Sequence, residues 1–113
     1  MANTFKTKTK SGIGTSPVTI YTVPSSTTTI VIGCTLANVH ASANVDADVQ
    51  ITTASTSGEN ADNPYIIKGV PVPNSSTLEI IEGKIVMETG DVIAVTSDTA
   101  ASIDVALSVL EQT

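Results

Sequence analysis

The chain has 113 residues and a formal net charge of −6, which is the size of a single domain. It contains 18 Thr, 13 Val and 12 Ile, but no Arg, one His and one Cys. These numbers argue against a nucleic-acid binder, a disulfide framework and the usual zinc sites, and 41% apolar residues argue against intrinsic disorder.

The first 14 residues are predicted to form a basic, extended arm. Lys6, Lys8 and Lys10 lie in the first ten residues without any acidic residue, whereas the other 103 residues hold two Lys and eleven acids, a formal −9. No apolar run follows the lysines, so we expect neither a signal peptide nor a membrane span. The arm is either a solvated tail or a segment that lies on an acidic neighbouring subunit, and the composition around Phe5 favours a strand.

The rest of the chain, residues 15–113, alternates apolar and polar residues with the period of a β-strand. Its many β-branched side chains suit a pleated surface. About eight short strands separated by turn residues predict one antiparallel β-sandwich or jelly roll. The predicted strands are 18–23, 28–39, 44–53, 65–70, 78–81, 84–87, 92–96 and a last, central strand with Ile103, Val105, Leu107 and Val109 facing inward.

The alternation also predicts which side chains of the longer strands face the core. In the second strand these are Ile30, Ile32, Cys34 and Leu36, so Cys34 is expected to act as a small core hydrophobe. In the third strand the inward residues are Val45, Ala47, Val49 and Ile51.

Two segments between strands are expected to have distinct roles. The loop 55–64 is the longest irregular stretch, and we expect contacts from its polar residues, Glu59, Asn60, Asp62 and Asn63. In the tight turn 88–91, Gly90 is expected to supply a positive φ and Asp91 to accept hydrogen bonds from backbone amides.

The residues that could support chemistry are few. His40 is the only histidine, and no nucleophile motif accompanies it, so we expect a surface or interface histidine. Asp46 and Asp48 lie on one strand face without the spacing of a calcium loop, which favours solvated carboxylates. We therefore expect no enzyme, no cofactor and no metal.

The segments 23–27 and 72–77 resemble each other in sequence. Each begins Val-Pro, continues with Ser or Asn, and leads into a β-branched strand. This echo fits either two similar strand-entry turns or two related halves of a double Greek key.

Several segments resemble small structural proteins of tailed bacteriophages. They are Tyr21-Thr22-Val23-Pro24, Leu36-Ala37-Asn38, the central run 65–73, the run 76–91 and the ending 104–111. The resemblance implies a virion building block without enzymatic activity.

From this resemblance and the hydroxyl-rich composition we expect a homo-oligomer, guessed as a trimer, located in the virion. The expected role is a capsid decoration (cement) protein that contacts the major capsid protein or other virion proteins, partly through Phe5, Lys6, Lys8 and Lys10. A neck, tail or fibre-attachment component remains open, and so does a carbohydrate-binding or adhesin module. Nucleic acid and membrane are not expected partners.

Overall fold

The computed structural model describes residues 2–53, 63–81 and 83–113, which contain nine strands and no helix. The strands form two antiparallel sheets, so the predicted β-sandwich is confirmed. They are β1 (Asn3–Ile13), β2 (Val18–Thr22), β3 (Thr28–Asn38), β4 (Val45–Thr52), β5 (Tyr65–Val72), β6 (Thr77–Glu79), β7 (Ile85–Met87), β8 (Val92–Ser97) and β9 (Ile103–Gln112).

The strands pair as one nested ladder, centred on the segment between β4 and β5. β4 pairs with β5, β3 with β6 and β7, β2 with β8, and β1 with β9. Successive rungs alternate between the two sheets, which gives the orders β1-β9-β3-β6, with β7 also on β3, and β2-β8-β4-β5. This winding is a jelly roll, in which β6 and β7 together fill the place of one interrupted strand.

The core lies between the two sheets and is built from alternate residues of the long strands. β9 lies between β1 and β3, so the prediction of a central last strand is confirmed. The predicted inward residues of β4 and β9 are buried. The core side chains are Ile13, Tyr21, Val23, Val31, Cys34, Leu36, Val45, Ala47, Val49, Ile51, Val72, Met87, Ile93, Val95, Ile103, Val105, Leu107 and Val109.

A β-bulge in β3 changes the predicted inward face of that strand. Val31 pairs with Val109 and Gly33 with Ser108, so β3 holds one more residue than β9 at this point. An extra residue reverses the alternation. Cys34 and Leu36 are buried as predicted, but the inward prediction for Ile30 and Ile32 is wrong, because both precede the reversal and lie outside.

The predicted basic arm lies mostly in a strand of the chain's own larger sheet. Residues from Asn3 to Lys10 pair in register with β9, and Ile13 pairs with Ile103 after a register shift. The solvated-tail interpretation is therefore wrong for this segment, because its backbone extends the sheet. Only Ile13 of its eleven residues is buried.

The two similar segments form the same kind of turn at two corners of the jelly roll. Each leads from the smaller sheet to the larger one, between β2 and β3 and between β5 and β6. Ser26 has a φ of 54° and Ser75 a φ of 63°, and these residues hold equivalent places in the two segments. The interpretation as similar strand-entry turns is therefore confirmed.

Candidate functional site

The outer face of the larger sheet carries an apolar row that crosses four strands, formed by Phe5, Leu110, Ile30 and Val86. Phe5 of β1 pairs with Leu110 of β9. Leu110 pairs with Ile30 of β3, which pairs in turn with Val86 of β7. Directly opposed residues project to the same face, so the row is continuous. Phe5 is 74% exposed and Val86 62%, which leaves both ends of the row open to solvent.

Beside this apolar row the bulge opens a depression of about 270 Å³. Ile32, the extra residue of the bulge, is 40% exposed and stands on one side of it. Gly33 pairs with Ser108 and adds no side chain to this part of the face. The residues that line the depression are Phe5, Lys6, Thr7, Ile32, Ser108 and Val109.

The lysines of β1 lie on the opposite side of the strand from Phe5. Lys6, Lys8 and Lys10 pair with the inward residues of β9, so they share the inner face of the sheet beyond its buried centre. The Nζ atom of Lys6 lies 2.8 Å from Oε1 of Glu111 in β9. The Nζ atom of Lys8 lies 5.8 Å from the centre of the Tyr21 ring. Phe5 and the lysines were predicted as one set of contact residues. Phe5 lies on the outer face of the sheet and the lysines lie on its inner face.

A buried polar cluster joins β1, β2, β3 and β9 at this place. Tyr21 donates a hydrogen bond to Oε2 of Glu111, and Thr29 completes the cluster through a 2.8 Å contact with the Tyr21 hydroxyl. Glu111 and Tyr21 are each only 5% exposed. Because the Glu111 carboxylate accepts from both Lys6 and Tyr21, it is a satisfied buried charge.

The pKa values in this cluster follow from its geometry. The hydrogen bonds from Lys6 and then Tyr21 hold the pKa of Glu111 below its usual value, although burial acts in the other direction. Burial, followed by the hydrogen bond to Glu111, raises the pKa of Tyr21 to about 12. The stable form at neutral pH is therefore a neutral phenol donating to an ionised carboxylate.

The carboxylate of Glu79 supplies hydrogen-bond acceptors beside the bulge in β3. Oε1 of Glu79 in β6 accepts from the backbone N–H groups of Cys34, at 2.9 Å, and Ile81, at 3.0 Å. Its Oε2 accepts from the Thr35 hydroxyl at 2.9 Å. Burial acts to raise the pKa of Glu79, but these hydrogen bonds outweigh it and the pKa is lowered.

The turn residues act as the sequence predicts. Gly90 has a φ of 87°, which its missing side chain permits. Oδ2 of Asp91 accepts from the backbone N–H of Glu88 at 3.0 Å. The backbone N–H of Gly90 donates to the carbonyl of Val23, which ties this turn to the chain after β2.

The predicted loop contacts lie largely beyond the described residues, since Glu59, Asn60 and Asp62 all fall there. Asn63 is described and has a local structural role. Its Oδ1 accepts from the backbone N–H of Thr53 at 3.1 Å, and its carbonyl accepts from the Gln50 side chain at 3.0 Å.

The remaining candidates for chemistry also have local partners. Nδ1 of His40 accepts from the backbone N–H groups of Ser42 and Ala43, which shapes the turn after β3. Oδ1 of Asp48 accepts from the backbone N–H of Gly69. Cys34 is buried, and burial raises the pKa of its thiol to about 12, as expected for a core residue.

The cluster around Glu111 was not predicted, although the sequence contained a signal for it. In β9 the inward positions are Ile103, Val105, Leu107 and Val109, and Glu111 is the next residue in that alternation. An acid at an inward position needs a partner, and the lysine-rich β1 supplies one. Glu79 gave no such signal, because its role depends on the bulge.

No family model, curated protein or solved structure matches this chain. Within residues 2–53, 63–81 and 83–113 no helix could cross a membrane. Over the same ranges no three His, Cys, Asp or Glu side chains converge in a way that could hold a metal ion.

Proposed function

We propose that the protein is a non-enzymatic structural component of a bacteriophage virion, and that it binds the capsid as a decoration protein through the outer face of its larger sheet. The observation that carries the proposal is the apolar row, with Phe5 74% and Val86 62% exposed. Exposed apolar side chains in one continuous row are typical of protein interaction sites. The resemblance of the sequence to phage structural proteins supports a virion as the setting.

The chemistry of the apolar row and its surroundings suits a protein partner. Thr7 and Ser108 lie beside the row and can hydrogen-bond at its rim, while Phe5 offers an aromatic anchor. The proposed occupant is an apolar ridge of the major capsid protein, with its polar groups meeting these hydroxyls. Ile32 and the neighbouring depression provide a place for one projecting side chain.

The number of copies in purified particles tests the location. Quantitative mass spectrometry of virions is expected to give a copy number close to that of the major capsid protein. Copies in single or low double figures overturn the decoration role and indicate a neck or tail component. Complete absence from the particle overturns the virion assignment altogether.

A pair of matched substitutions tests the binding face. Val86→Asp places a charge in the apolar row, and we expect about a tenfold or greater loss of affinity for capsids. Val39→Asp is the control, since Val39 is 49% exposed but lies outside the row. Capsid co-sedimentation measures both, and equal binding of the two variants contradicts the proposed face.

A further inference from the structure

The strand β1 is attached to the domain along one side only and buries very little. It pairs with β9, and its other edge has no strand beside it among the described residues. Phe5 is largely exposed, and the only buried side chain of the strand is Ile13 at its end. Most of what holds residues 3–10 in place is therefore the ladder to β9 and the side chain of Lys6.

The chain has a natural pivot at the base of this strand. The regular register with β9 ends at Lys10 and resumes at Ile13 after a shift, and Gly12 between them has a φ of 66°. Ile13 is fixed, because its carbonyl accepts hydrogen bonds from Ser97 and Ser102. The N–H of Gly12 donates to Oδ1 of Asp104 at 2.9 Å, and a change of direction of residues 2–11 on the N-terminal side of this bond would leave the jelly roll beyond it intact.

The edge of β9 is built to receive a strand that carries a lysine. Glu111 lies there, 5% exposed with β1 in place, and Lys6 is the cation that pairs with it. A strand that docked here without a lysine would leave this covered charge with only the Tyr21 hydroxyl as a partner, which is unfavourable. Every copy of the chain carries both the acidic receptor and the basic strand, so the charge complementarity holds equally between copies.

We propose that the edge of β9 is an exchange site at which β1 of a second copy replaces the chain's own β1, so that Lys6 of one copy pairs with Glu111 of another. This partner deepens the assembly role proposed above and rests on it. Exchange reproduces all contacts of the closed form and closes a symmetric dimer or ring. Pairing of two β1 edges is disfavoured, because it brings Lys6, Lys8 and Lys10 of two copies together.

Interchain cross-linking tests the exchange directly. Thr9 of β1 and Ala106 of β9 are paired and exposed, so one chain carries Thr9→Cys and a second, differently tagged chain carries Ala106→Cys. The two are co-expressed and treated with a short bis-maleimide, to which Cys34 is inaccessible at 1% exposure. With full exchange and random pairing, about half of the chains are expected in the cross-linked heterodimer.

The control uses a Thr–Ala pair that exchange leaves within one chain. Thr19 of β2 pairs with Ala94 of β8, beyond the pivot, so Thr19→Cys and Ala94→Cys chains are expected to give no heterodimer. A chain carrying both Thr9→Cys and Ala106→Cys shows that the reagent reaches across the pair. Cross-linking only within that double variant, and none between chains, overturns the exchange.

The results separate this inference from the proposed function. Interchain cross-links from a protein that is absent from virions support the exchange and overturn the virion role. A normal copy number in virions without interchain cross-links overturns the exchange and leaves the decoration role standing.

Discussion

At the scale of single residues, the most consequential group is the Glu111 carboxylate. It is a charge among the otherwise apolar inward residues of β9, and it is tolerated because Lys6 and Tyr21 both donate hydrogen bonds to it. Lys6 remains 42% exposed, so the pair is screened on one side and its net contribution to stability is modest. The larger effect of the Lys6–Glu111 pair is on the position of β1, because the pair fixes where β1 docks on β9.

The lowered pKa of Glu111 predicts a pH dependence of folding. Because the folded state favours the ionised form, the stabilisation is present above the ordinary pKa of 4.5 and is lost as the pH falls through the lower folded value. Urea unfolding at pH 7 and in the acid range measures it. The free energy of unfolding is expected to fall less on acidification in Glu111→Gln than in the unchanged protein. Glu79 is present in both proteins and contributes equally to the fall. Equal falls in the two proteins contradict the assignment to Glu111.

Two leucines of β9 test which face of that strand supports the core. Leu107 is 0% exposed, so Leu107→Ala is expected to lower the free energy of unfolding by about 2–5 kcal/mol. Leu110 lies in the same strand on the outer face and is only half-buried. Leu110→Ala is expected to cost less than about 1.5 kcal/mol, and a cost for Leu107→Ala below that of Leu110→Ala is inconsistent with the fold.

At the scale of elements, the strands were predictable wherever the alternation is uninterrupted. β4 and β9 have their predicted inward faces because the extra residues at their register shifts lie in the neighbouring strands β5, β1 and β3. In β3 the single extra residue at Ile32 reverses the faces, and no turn residue other than Gly33 marks it. A bulge depends on the hydrogen bonds of neighbouring strands, here those supplied by Glu79, and that information is not local in sequence.

The candidate site was predictable only in part, for a similar reason. The basic segment and Phe5 were identified from composition, but the strand pairing that sends Phe5 and Lys6 to opposite faces is a property of the sheet. Ile30 and Val86 joined the apolar row through cross-strand register alone. Their positions, nearly sixty residues apart in the chain, carry no sequence signal of adjacency.

The two corner turns give a prediction at this scale. Ser26 and Ser75 have positive φ values, which cost an L-residue about 1–2 kcal/mol, whereas glycine adopts them freely. After the entropic cost of glycine, Ser26→Gly and Ser75→Gly are each expected to stabilise the protein by up to about 1 kcal/mol.

Thermal unfolding measures both variants, with Ser25→Gly as the control. Ser25 is beside Ser26 but has no positive φ, so its replacement is expected to lower stability by about 0.5–1 kcal/mol. A destabilisation by both Ser26→Gly and Ser75→Gly shows that the serine side chains matter more than the backbone conformation.

At the scale of the whole molecule, the jelly roll separates two kinds of surface. The smaller sheet carries polar contacts such as that of Asp48 Oδ1 with the backbone N–H of Gly69, and Tyr65 is its large exposed apolar side chain among the described residues. The larger sheet carries the apolar row outside and the Lys6–Glu111 pair at its β1 edge. The proposed contacts with a capsid and the proposed contacts with a second copy therefore use different sides of the same strand.

The nested strand pairing also favours an order in which the strand pairs form during folding. The β4–β5 pair closes the short segment 53–64, whereas the β1–β9 pair joins Asn3 to Gln112 across almost the whole chain. Closing a longer loop costs more entropy, so the innermost hairpin is favoured to form early and β1 to dock last. A newly folded domain thus presents an open β9 edge before its own first strand arrives, and at high local concentration that interval allows another molecule's strand to dock first.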